Sequence, residues 1–127
     1  MKRLIAAAVA ALVFTGPLAA QDITSEVIRR APVPGSETME VIVSLLTVPV
    51  GATIPLHTHP GDEHAVVITA ATAETPNGQV VAFEAGTTLY FPEGQVHGGL
   101  TNVGAAPMQA VTTHVLRVGE PFLTPVE

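Results

Sequence analysis

The centre of the chain reads Gly51-Ala52-Thr53-Ile54-Pro55-Leu56-His57-Thr58-His59-Pro60-Gly61-Asp62-Glu63, and this stretch places three metal-binding side chains within seven residues. His57 and His59 are separated by one residue, so in an extended strand they share one face, roughly 6.6 Å apart along the chain. The residues Pro60-Gly61-Asp62 have the composition of a tight turn, which would return Glu63 toward the same point. The stretch therefore predicts three ligands of one metal ion.

A fourth donor lies in a second stretch, which reads Gly86-Thr87-Thr88-Leu89-Tyr90-Phe91-Pro92-Glu93-Gly94-Gln95-Val96-His97. Four polar ligands that face an apolar interior cost several kcal/mol if they are left unpaired, roughly, so they need a shared partner. A divalent cation is such a partner. Three imidazoles and one carboxylate suit Mn, Fe, Ni, Cu or Zn, and the motif does not choose among these metals.

Together, the two stretches resemble the two motifs of the cupin superfamily. The first motif reads Gly, five residues, His-x-His, three or four residues, Glu, six residues and Gly; Gly51, His57, His59 and Glu63 match it, and Ala70 stands where the last Gly is expected. The second reads Gly, five residues, Pro-x-Gly, two residues, His, three residues and Asn; Gly86, Pro92, Gly94 and His97 match it, and Asn102 comes one residue late. The resemblance implies a metal site formed by His57, His59, Glu63 and His97.

The strand pattern supports an all-β fold. Short segments rich in β-branched residues recur between Gly and Pro, which is typical of a sandwich or barrel, and none shows helical periodicity after residue 20. We expect strands over 22–30, 39–48, 64–69, 79–83 and 108–118, with a hairpin at Pro76-Asn77-Gly78 and a tail over 120–127. The cupin resemblance selects the double-stranded β-helix, a small jelly-roll barrel.

The first twenty residues are typical of a secretory signal peptide. Lys2 and Arg3 precede an apolar run of eleven residues, 4–14, and small residues follow up to Ala20. The run is too short to span a bilayer. We therefore expect cleavage after Ala20, a single cupin domain over 21–127, no membrane association after cleavage, and a secreted, periplasmic protein.

Composition excludes several chemistries. The chain has no Cys, which excludes thiol nucleophiles, thiolate zinc sites and iron–sulfur clusters. Its formal net charge is -6, and after residue 20 the only basic side chains besides histidine are Arg29, Arg30 and Arg117, so a nucleic-acid partner is not expected. Chemistry based on histidine and carboxylate is left.

Three further side chains are candidates whose roles the sequence leaves open. His64 follows Glu63 directly and should point to the opposite face of its strand. His114 should face inward on the last long strand, as a core histidine or as part of the pocket. Tyr90 is a second pocket candidate, and the alternative is an aromatic that packs within its strand.

We expect a cupin that binds one divalent transition metal. By analogy of fold, the first choice of activity is a metal-dependent, dioxygenase-like oxidoreductase that acts on a small organic substrate. The alternatives are a non-catalytic module that binds a metal or small ligand, and a purely structural barrel. A homodimer is also expected, because Ile42, Leu46, Val66 and Ile68 lie opposite the faces taken as inward.

Overall fold

The computed structural model of the protein describes residues 21–127, and the predicted signal peptide lies outside them. Ten strands follow in order: β1 (Thr24–Pro32), β2 (Met39–Val48), β3 (His57–Thr58), β4 (Gly61–Thr69), β5 (Ala71–Glu74), β6 (Val80–Phe83), β7 (Thr88–Phe91), β8 (Thr101–Asn102), β9 (Met108–Arg117) and β10 (Thr124–Pro125). In this part of the chain we find no helix with the length and apolarity needed to cross a membrane.

The strands form three antiparallel sheets. Five strands lie in the order β1-β2-β9-β4-β7, three in the order β6-β5-β8, and the short strands β10 and β3 pair with each other. Isolated bridges between His57 and His97 and between Thr53 and Thr101 connect the loops of the two predicted motifs. This arrangement of antiparallel strands confirms the predicted all-β fold and the double-stranded β-helix.

Strand β9 is the central strand of the five-stranded sheet, which we call the large sheet, and one of its faces points into the barrel. It pairs with β2 on one side and with β4 on the other over nearly its whole length. Its side chains alternate between buried and half-buried as far as Leu116, and Arg117 at its end is exposed, as expected for a strand with one face in the core. The inward face of β9 carries five side chains: Met108, Ala110, Thr112, His114 and Leu116.

The register between β2 and β9 corrects the predicted orientation of β2. Ile42 pairs with His114 and Leu46 with Ala110, so both side chains face inward with their partners. Ile42 is 1% exposed, and Leu46 lines the internal cavity. The expectation that these two residues leave outer apolar surface was wrong, whereas Val66 and Ile68 on β4 do lie exposed.

Two glycines permit close approaches that hold the site together. A side chain at Gly61, the first residue of β4, would overlap the main-chain carbonyl of Val115 on β9. Gly98 has a φ of +102°, and a side chain there would overlap the carbonyl of Pro55. Both glycines lie within two residues of a predicted metal ligand, so the backbone around the site is tightly packed.

Candidate metal centre

The four predicted ligands come from three elements that the fold brings to one point. His57 is the first residue of β3, His59 follows that strand directly, and Glu63 is on the inward face of β4. The link between β3 and β4 is shorter than the predicted turn, because Gly61 already belongs to β4. His97 joins them through its antiparallel bridge with His57, in which each backbone N–H donates to the other residue's carbonyl.

The ligand atoms of the four side chains lie within 4.8 Å of one another. Nε2 of His57 is 3.1 Å from Nε2 of His59, and Oε2 of Glu63 is 3.0 Å from Nε2 of His59 and 2.8 Å from Nε2 of His97. Atoms bound at about 2.1 Å and at right angles around one ion are about 3.0 Å apart. The three observed separations match that spacing.

Main-chain carbonyls fix the orientation of all three imidazoles. Nδ1 of His57 donates to the carbonyl of Pro55 and Nδ1 of His59 to that of Phe122, each at 2.7 Å. Nδ1 of His97 donates to the carbonyl of Gln95 at 2.9 Å. A carbonyl only accepts, so each Nδ1 carries the proton and each neutral ring presents a lone pair at Nε2.

This arrangement fits a bound cation. Three Nε2 lone pairs and the carboxylate of Glu63 are all hydrogen-bond acceptors, and they converge without a donor between the rings of His57 and His59. Acceptors that face each other at such distances in a buried site repel unless a cation or a proton lies between them. Histidines that donate Nδ1 to a carbonyl and point Nε2 inward are the usual metal ligands in proteins.

The pKa values of Glu63, His57 and His97 reflect burial and the contacts within the cluster. Burial alone would raise the pKa of Glu63, but contacts with His114, His59 and His97 outweigh burial and hold it well below its usual range. Burial lowers the pKa of His57, only partly offset by its hydrogen bond to Pro55. Burial also acts to lower the pKa of His97, yet contact with Glu63 leaves it raised. Glu63 therefore stays ionised.

An internal cavity of about 360 Å³ opens directly onto the four ligands. Its walls are almost entirely apolar and come from the five-stranded sheet, the three-stranded sheet and their connections. The apolar lining residues are Ile23, Leu46, Ile54, Pro55, Ala65, Val67, Phe83, Leu89, Phe91, Leu100, Met108, Ala110, Phe122 and Leu123. The volume lies within the range of small-ligand sites, and the site ligands form its polar end.

His114 lines this cavity, whereas Tyr90 does not. His114 is 2% exposed, and its Nε2 is 3.4 Å from Oε2 of Glu63, its partner across β4 and β9. Tyr90 is 54% exposed and stacks on His64 with ring centroids 4.7 Å apart on the outer face of the sheet. The pocket interpretation of Tyr90 was wrong, because its neighbours Leu89 and Phe91 take the inward positions of β7. His64 faces outward, as expected.

Residues 119–127 form an element that we term the C-terminal strap, where the sequence predicts only a tail over 120–127. Thr124–Pro125 pairs with His57–Thr58, and the N–H of Val126 donates to the carbonyl of Leu56. The ring of Phe122 packs against both His59 and His114, with centroid distances of 5.2 and 4.6 Å. The only sequence feature that favours the packing of this strap against the site is an aromatic residue, Phe122, after Gly119 and Pro121.

Comparison with known families identifies the class of protein to which this barrel and its histidine–glutamate cluster belong. The family model of the cupin domain matches residues 44–115. The chain therefore belongs to the cupin family, and the resemblance read from the two motifs is confirmed. A comparison with curated proteins gave no match.

Solved structures share the fold at low sequence identity. A conserved protein with a double-stranded β-helix domain from Klebsiella pneumoniae is 24% identical, with a TM-score of 0.59 over 84% of this chain and 85% of that chain. An acetylacetone dioxygenase from Acinetobacter johnsonii is 18% identical, with a TM-score of 0.56 over 99% and 82%. The polyketide cyclase RemF from Streptomyces resistomycificus is 15% identical, with a TM-score of 0.55 over 90% and 87%. At these identities the likeness concerns the fold alone.

Proposed function

We propose that this cupin binds one divalent transition metal through Nε2 of His57, His59 and His97 and a carboxylate oxygen of Glu63. The observation that carries the proposal is the convergence of four acceptor atoms, three of them on rings whose other nitrogen is held by a carbonyl. Nitrogen and oxygen donors suit Mn, Fe, Ni, Cu and Zn.

The activity we propose is a metal-dependent oxidation of a small organic substrate, of the dioxygenase type. A metal bound here would act as a Lewis acid toward the substrate or toward dioxygen. The chain's own contribution is to fix the three rings through their carbonyls, to keep Glu63 ionised and to exclude water with apolar walls. The dioxygenase that shares the fold supports this class of reaction, although a cyclase and lyases share the fold as well.

The competing function is a binding module without turnover. Protein loaded with Fe²⁺ under anaerobic conditions and then mixed with aerated acetylacetone distinguishes the two. We expect oxygen uptake that depends on the metal and is lost in His97→Ala, while the outward-facing control His64→Ala retains it. Binding of the compound without oxygen uptake would favour the binding module.

We also propose that the protein is a secreted homodimer. The outer face of the large sheet supports association, because it presents apolar side chains on three neighbouring strands: Val41, Val43, Leu45, Val66, Ile68, Val111 and Val115. Sedimentation at the monomer mass in micromolar solution would contradict the dimer. Recovery of the protein from the cytoplasm with residues 1–20 still attached would contradict secretion.

A further inference from the structure

The cavity contains two buried polar side chains that make no hydrogen bond within the described part of the protein, although Nε2 of His114 lies 3.4 Å from Oε2 of Glu63. Thr112 and His114 both lie on the inward face of β9 and line the cavity, with 3% and 2% of their surface exposed. Neither Oγ1 of Thr112 nor either ring nitrogen of His114 makes a hydrogen bond in residues 21–127. Both side chains therefore have hydrogen-bonding capacity that is available to a molecule in the cavity.

Their positions beside the metal ligands restrict where that molecule's polar group lies. Glu63 pairs with His114 across β4 and β9, and Ala65 pairs with Thr112 on the same two strands. The two unpartnered side chains are thus adjacent on one strand face, and the imidazole of His114 is beside the carboxylate of Glu63. A group bound at the four ligands therefore lies beside His114, and Thr112 is the next inward residue along β9.

The charge of the cavity restricts the ligand further. Among residues 21–127, Glu63 is the only one lining the cavity that carries a formal charge when the histidines are neutral. A divalent metal and one carboxylate leave a single positive charge surrounded by apolar walls. Uncompensated charge in such surroundings is strongly unfavourable, so a ligand with one negative charge is preferred over a neutral ligand or a dianion.

We propose that the cavity binds the anion of a small carboxylic acid with an apolar body, with one carboxylate oxygen toward the metal and the other hydrogen-bonded to His114 and Thr112. This inference rests on the proposed metal site and names the class of ligand for it. A carboxylate carries its single charge at neutral pH and presents two oxygens on one carbon. The apolar walls, among them Ile54, Leu89 and Met108, receive the remainder of the molecule.

The experiment uses zinc-loaded protein, which has no redox chemistry, and two probes of nearly the same shape. Isothermal titration with 3-methylbutanoate and with the uncharged 3-methylbutanamide should show at least tenfold tighter binding of the carboxylate. Thr112→Val and His114→Leu should each weaken the carboxylate about tenfold and the amide less than twofold, with the zinc content unchanged. His114→Gln keeps an N–H donor and should lie between His114→Leu and the unaltered protein.

The matched controls lie on the outward faces of the same strands. Thr113→Val and His64→Leu remove the same chemical groups from β9 and β4 outside the cavity, and should leave both affinities unchanged. Three results obtained with zinc bound would overturn the carboxylate site and leave the metal site standing. In the first, both probes bind equally; in the second, neither binds below 10 mM. In the third, Thr112→Val and Thr113→Val have the same effect. Failure of the unaltered protein to bind zinc at one ion per chain would instead overturn the proposed metal site. Should His114→Leu not fold, Thr112→Val and His114→Gln decide the question.

Discussion

The Nε2 atoms of His57 and His59 face each other at 3.1 Å. The Nδ1 atom of His57 donates to the nearby carbonyl of Pro55, and that of His59 donates to the distant carbonyl of Phe122. Neither ring can turn its N–H toward the other without leaving that carbonyl unpaired. The two Nε2 lone pairs therefore repel each other in the folded chain, and a cation bound between them would remove this repulsion.

Metal binding should stabilise the fold. Zinc at a hundred times its dissociation constant should raise the free energy of unfolding by about 2.7 kcal/mol, because the metal binds the folded site and not the unfolded chain. Thermal unfolding of the protein with excess zinc and after chelation measures the difference. Identical melting temperatures under the two conditions would show that the cluster does not bind this metal.

Removal of one ligand should remove most of the bound metal. His97→Ala leaves three of the four ligands and opens the site on the side of Phe91, whose ring stacks on His97 at 4.1 Å. We expect the metal content measured by elemental analysis to fall sharply. His64→Ala, an exposed histidine on the outer face, is the control and should retain the full content.

The site should lose its metal in acid. As pH falls, protons compete for the same Nε2 lone pairs, and His97 is protonated before His57, because contact with Glu63 raises the pKa of His97 whereas burial lowers the pKa of His57. Metal should therefore be retained above and released below about pH 6, close to the ordinary histidine value. Bound metal after dialysis between pH 8 and pH 4 measures this, and full retention at pH 4 would contradict a three-histidine site.

Two buried polar residues should respond to mutation with opposite effects on stability. Thr112→Val replaces an unpartnered hydroxyl by a methyl group of the same shape, so the ligand-free protein should be unchanged or more stable by about 1 kcal/mol. Asn102→Ala should destabilise it by about 2–4 kcal/mol, because the Asn102 amide donates to the carbonyls of Val48 and Ala106 and accepts from Gly104. Urea unfolding measures both. A marked loss of stability in Thr112→Val would indicate a structural role for its hydroxyl.

The C-terminal strap should contribute to metal affinity through its backbone. Deletion of residues 120–127 removes the carbonyl that holds Nδ1 of His59, and loss of such a partner commonly weakens metal binding about 10- to 100-fold. Phe122→Ala keeps the carbonyl but removes the ring, so it should retain the affinity and release zinc faster to a chelator. Equal zinc affinity in the deletion variant and the full chain would contradict this role.

The ligand set was predictable because each ligand depends on local rules. Alternation places His57 and His59 on one face, and motif spacing supplies Glu63 and His97. The orientation of β2 was not predictable from the strand itself, since Val41 and Val43 on one face are as apolar as Ile42 and Leu46 on the other. Only the register with β9, a contact far away in sequence, decides which face is buried.

The contacts of the C-terminal strap and of the two polar residues on the inward face of β9, Thr112 and His114, were also not predictable from local sequence. His114 was expected to face inward, but its lack of a partner depends on how strands from separate segments surround it. The strap has no periodic apolar pattern, and its pairing with β3 involves two residues. Contacts of this kind follow from the assembled barrel and leave little trace in local sequence.

The carbonyl of Phe122 has a practical consequence for handling the protein. The match to the cupin domain ends at residue 115, so a fragment cut to those limits would lack the group that orients His59. A purification handle fused after Glu127 would extend from the strap that pairs with His57–Thr58, so a polyhistidine handle there would offer imidazoles that compete with those of the proposed metal site.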